Sequence, residues 1–169
     1  MALRTFAGLI VCLAIAGAIG VFVGLHLTLG EAQQIVGQEL GRRLLAGSTL
    51  AYLLTPYTAA QLGTLAPICA WAIAGFVGGL ITKSPLKGAI MAILSVAIAW
   101  VSFSIIAGSM AGLSISETFQ GFSQATRSMA GDLAVAGAAC IIPAVIGGAI
   151  TEGDRQKIII KKIGLGGKE

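Results

Sequence analysis

The sequence predicts an all-α integral membrane protein of four transmembrane helices with two outer interfacial amphipathic helices. Three observations predict it. Of 169 residues, 56% are hydrophobic and only 11% are charged, whereas soluble domains average roughly 25% charged. A chain with so thin a polar coat has lipid as its solvent. The apolar residues also fall into runs long enough to cross a bilayer, which takes about 20 helical residues. Finally, the 24 glycines lie inside those runs rather than in linkers, where they permit close helix approach. The clearest runs are the two arms of residues 62–112, joined by the polar turn Thr82-Lys83-Ser84-Pro85-Leu86-Lys87.

The first span covers about residues 6–29. It is longer than the roughly 7–15-residue apolar stretch of a signal peptide and is expected to be retained. Small residues recur at every fourth position, Gly8, Cys12, Ala16, Gly20 and Gly24, which sets them on one helix face. About residues 33–54 are expected to form an amphipathic helix. Ile35, Val36, Leu40, Leu44 and Leu45 are its apolar positions, and Glu39, Arg42 and Arg43 are charged. Tyr52 and Tyr57 suit an aromatic belt, and the Thr55-Pro56 step ends the helix.

The second span covers about residues 62–82, with Pro67 near its start and a ridge at Ala66, Ala70, Ala74, Gly78 and Thr82. The third covers about 86–111 and carries Ala92, Ser95, Ala99 and Ser102 at seam spacing. Ser114-x-x-Glu117 is a capping-box pattern and opens the second amphipathic helix, about 114–130, with Ile115, Phe119, Phe122 and Met129 on its apolar side. The fourth span covers about 132–151. Its ridge is Ala136, Cys140, Ala144 and Gly148, and Pro143 should kink it by freeing the carbonyl of Ala139. Residues 1–151 then make one transmembrane domain, and 152–169 a basic cytoplasmic tail.

Charge sets the expected orientation. With the Lys83/Lys87 turn cytoplasmic, that side holds Arg4, Lys83, Lys87 and five tail cations, eight of eleven; the other holds Arg42, Arg43 and Arg127. The positive-inside rule then puts both termini in the cytoplasm of a multi-pass cell-membrane protein. A weak internal echo links Val77-Gly78-Gly79-Leu80-Ile81-Thr82 to Ile146-Gly147-Gly148-Ala149-Ile150-Thr151. It suggests a parallel duplication of two helical hairpins, 1–82 and 86–151.

Chemistry is sparse. No span carries Asp, Glu, Lys or Arg at its middle, which argues against a proton-coupled transporter. A Gly/Ala-rich double hairpin superficially resembles the duplicated proteolipid subunits of rotary ATPases. Those need a mid-membrane carboxylate, and this chain has Ala-Cys-Ile-Ile-Pro there instead. His26 reads as an interfacial polar cap. Cys12, Cys69 and Cys140 each stand alone in an apolar run and read as small packing residues. Trp71 and Trp100 fall at similar depth near mid-membrane, although Trp prefers the interface; stacking on each other, packing, or lining a hydrophobic groove are the readings open. Arg42 and Arg43 are candidate contacts for lipid headgroups or an acidic partner. No catalytic motif is present, and no metal or cofactor is expected. The net charge of +4 marks no nucleic-acid partner; the expected partners are the bilayer and other membrane subunits or copies of the chain.

The function expected is that of a non-catalytic small membrane subunit, an accessory or scaffold component packing through its Gly/Ala ridges. The alternative is a small channel or carrier for a neutral or hydrophobic solute.

Overall fold

The computed structural model describes the backbone of residues 2–165 and the side chains of residues 3–152. The side chains of the expected basic cytoplasmic tail lie, beyond Glu152, outside the described residues. All regular structure among the described residues is helical: α1 (Ala2–Ile19), α2 (Leu29–Val36), α3 (Glu39–Leu53), α4 (Pro56–Gln61), α5 (Ala66–Thr82), α6 (Pro85–Met110), α7 (Ile115–Ser128) and α8 (Ala130–Leu165). A π-helical turn, Gly20–Gly24, continues α1. Three segments are long and apolar enough to cross a membrane: Leu3–Gly24, Pro85–Met110 and Ala130–Glu152. The fourth apolar helix, α5, has 17 residues, about 25 Å at 1.5 Å per residue, and lies among them.

Local chemistry sets the ends. Pro56, Pro67 and Pro85 stand at the starts of α4, α5 and α6, where a missing N–H costs nothing and the fixed φ helps. Lys83 closes α5 in the left-handed region, φ 55°, and reverses the chain within three residues. Thr28 and Ser114 cap α2 and α7 with reciprocal Glu31 and Glu117 bonds.

α1, α5, α6 and α8 form the bundle. α5 and α8 run parallel and meet almost backbone to backbone: a side chain at Gly75 would overlap the carbonyl of Cys140, and one at Gly79 that of Ala144. α1 runs antiparallel to α5, with Gly8 against Gly78 and Thr82. Only residues without bulk allow these approaches; on α5 the residues that meet α8 most closely, Gly75 and Gly79, stand beside the four-residue ridge named from sequence and not on it. Gly8, Cys12, Ala16, Gly20, Ala70, Ala74, Gly78, Ala136, Cys140, Ala144 and Gly148 are all buried within the single chain, and Gly24 is half-buried beside the ring of Tyr52.

Four features depart from the sequence reading. The expected helix 33–54 is two helices, because the chain turns at Gly37 and Gln38 before α3. The first helical run stops at Gly24, short of residue 29, since Thr28 starts α2. The last helix does not stop at 151 but continues to Leu165; it stays helical on both sides of Pro143. Cys12 and Cys140 are not solitary: their Sγ atoms lie 3.8 Å apart, with both residues fully buried.

At the end of the bundle away from Lys83, α2, α3, α4 and α7 form a cap. α3 descends toward the bundle. Its Gly47 lies by Ile106 and Met110, while its last residue, Leu53, reaches Trp71, about 8 Å below the start of α5. Leu53, Leu54 and Pro56 are buried there and plug the mouth of the bundle. α7 turns back along α6, with Thr118 against Gly108 and Thr126 against Trp100.

Candidate functional site

The two tryptophans do not stack on each other. Each fixes one cap helix to the bundle. Trp71, fully buried, donates its indole N–H to the Leu53 carbonyl at 2.7 Å. The C-terminal carbonyls of a helix have no partner within it, so Trp71 satisfies one and holds the tip of α3. Trp100 donates to Thr126 Oγ1 at 3.1 Å and packs on Phe103 and Phe122, with centroids 5.9 and 5.7 Å away. This accounts for indoles set far from a polar interface: the cap helices bring the acceptors to them.

A third tie has no sequence signal. Asp132, only 8% exposed, accepts from the Thr58 backbone N–H and from Thr58 Oγ1, both at 2.9 Å. It binds the start of α8 to α4 across 74 residues of sequence. A buried carboxylate with two donors at a helix N-terminus is a stable arrangement. Its partner, an unremarkable Thr in a polar stretch, gives no hint of it.

Arg42 and Arg43, adjacent in sequence, have different settings. Arg43 pairs with Glu39 one turn away at 2.9 Å, an exposed contact of the kind worth about 0.3–0.5 kcal/mol. Arg42 instead lines a cavity of about 560 Å³ between α1, α3, α5 and α6. The floor of that cavity is Leu13, Ala16, Leu53, Trp71 and Ala99. Nothing lies within 4 Å of a Cβ built at Gly17, which also lines it. Thr49 belongs to its wall; its Oγ1 is the one buried side-chain polar atom without a hydrogen-bond partner among the described residues. Trp100 lies outside this cavity, in a smaller cleft of about 340 Å³ between α6 and α7.

His26 has φ 52°, a left-handed residue just past the π turn, and no group of three His, Cys, Asp or Glu gathers among the described residues. The candidate site is therefore the 560 Å³ cavity: apolar in its depth, with a guanidinium on its wall. No protein family, no curated protein and no solved structure matches this chain.

Proposed function

We propose that the protein is a non-catalytic membrane subunit that works by assembling with other membrane subunits or with copies of itself. Its setting would be the cell membrane, with four spans, α5 being the shortest, and with both termini cytoplasmic. The observation that carries the assembly reading is a small-residue face left open after the bundle has closed. The ridges named from sequence all point inward. On the opposite side of α8, Ala134 and Ala138 are exposed and nothing lies within 4 Å of a Cβ at Gly137. Such a face admits a neighbouring helix closely, which is how helices associate in lipid. The non-catalytic reading draws support from the buried polar groups. Asp132, Trp71, Trp100, Thr82 and Ser95 each bond within the fold.

The experiment separates the two kinds of glycine. Gly137→Leu should fold with its helix content intact and migrate as a smaller species on native gels. Gly79→Leu should lose the fold itself, since the new side chain meets the Ala144 backbone. A Gly137→Leu chain that migrates as wild type does, with wild-type stability, counts against assembly through this face.

A second reading, a carrier for a neutral or hydrophobic solute, is favoured by the 560 Å³ cavity. Flux through liposomes that responds to substitutions in its wall would support it.

A further inference from the structure

We infer that the cavity between α1, α3, α5 and α6 is a binding site for an anionic phospholipid, with one acyl chain in its depth and the phosphate at Arg42. The inference stands whether or not the chain assembles.

The cavity has the volume of a ligand site, about 560 Å³ against roughly 300–1,000 Å³ for small-molecule pockets. Its shape follows from its helices. The lining residues of α1 and its π turn run from Leu13 to Val21, and those of α3 from Arg42 to Leu53, so it is about 12–16 Å long at 1.5 Å per residue. Its polarity is graded. The deep end holds Leu13, Ala16, Leu53 and Trp71; the end nearer the cap surface holds Val36 and Arg42. An apolar depth under a single guanidinium matches an acyl chain under a phosphate, and Arg is the side chain best suited to phosphate.

Two observations choose the occupant. First, Arg42 makes no ion pair among the described residues, whereas its neighbour Arg43 is taken by Glu39. Arg42 thus has its donors free at the groove. Second, no Asp or Glu lines the cavity. A zwitterionic headgroup would bring an ammonium with no carboxylate to meet it, so an anionic lipid fits better than phosphatidylcholine.

The test is lipid retention by the full-length protein in mild detergent, read by native mass spectrometry with equal amounts of phosphatidylglycerol and phosphatidylcholine. Wild type should hold one phosphatidylglycerol in preference to phosphatidylcholine. Arg42→Gln should weaken that retention about tenfold, as expected for loss of a charge-assisted hydrogen bond. Arg43→Gln should leave it unchanged. Gly17→Phe, whose Cβ has open space around it and whose ring would fill the groove, should remove both lipids; Ala46→Phe on the facing wall serves the same purpose if Gly17→Phe fails to fold. Equal retention of the two lipids by wild type would overturn the inference. So would equal losses from Arg42→Gln and Arg43→Gln, which would mean attraction to surface charge rather than a site.

Discussion

Asp132 shows how little a residue's sequence context can reveal of its work. It stands at the start of an apolar run and reads as a boundary marker, yet it is buried and accepts two bonds from Thr58. Sequence gives no link between positions 74 apart, and neither residue lies in a motif. The tryptophans were visible as anomalies, aromatic groups too deep for an interface. Their partners were not, because Leu53 offers only a backbone carbonyl. Substituting Asp132 takes the acceptor from both Thr58 donors and unties α8 from α4. Asp132→Ala should therefore destabilise the protein by about 1.5–3 kcal/mol, the range for hydrogen bonds to a charged group. Thermal unfolding of the protein in detergent micelles checks this. The double variant with Thr58→Ala should cost less than the sum of the singles, since each removes the same tie.

At the scale of elements, periodicity made the helices legible. Small residues every four positions and the Ser114-x-x-Glu117 box could be read directly, since each depends on neighbours within one or two turns. Two things could not. An amphipathic helix on a membrane surface and one leaning on a bundle have the same alternation of apolar and polar residues, so the descent of α3 to Trp71 and the return of α7 along α6 were invisible. The break at Gly37 and Gln38 was also lost within an otherwise continuous amphipathic pattern. The caps of α2 and α7 carry a pH dependence. Glu31 and Glu117 each accept from the side chain and then the backbone of the capping residue, which lowers both carboxyls below their ordinary range. A carboxyl whose folded value is depressed gives stability that is fully present above its unfolded value and lost as pH falls through its folded one. Amide exchange in the first turns of α2 and α7 should therefore accelerate in acid, below the usual carboxylate range. Glu117→Gln should flatten that dependence in α7 and leave it in α2.

At the scale of the molecule, the structure changes what the ridges mean. From sequence, the Gly/Ala ridges are the faces expected to pack against other subunits. In the structure the ridges of α1, α5 and α8 face one another, and the small residues that remain outward are different ones, Ala134, Gly137 and Ala138. The spacing of a ridge gives a face but not its partner. α5 and α8, whose ends carry the Gly-Gly-x-Ile-Thr echo, run parallel at the centre, with α1 packed on the first and α6 on the second.

The inward ridges are tested most directly by the one place where two of them meet through sulfur. Cys12 on α1 and Cys140 on α8 have their Sγ atoms 3.8 Å apart, in contact with each other, which makes this pair the one for an oxidant to join. In membranes holding the Cys69→Ser variant, a lipid-soluble oxidant such as iodine takes two electrons from the pair and releases two protons. Peptide mapping should then find the Cys12–Cys140 bond within one chain. Bonds joining Cys12 to Cys12, or Cys140 to Cys140, between chains would contradict the account, because they would place the ridges at an interface and not in the bundle.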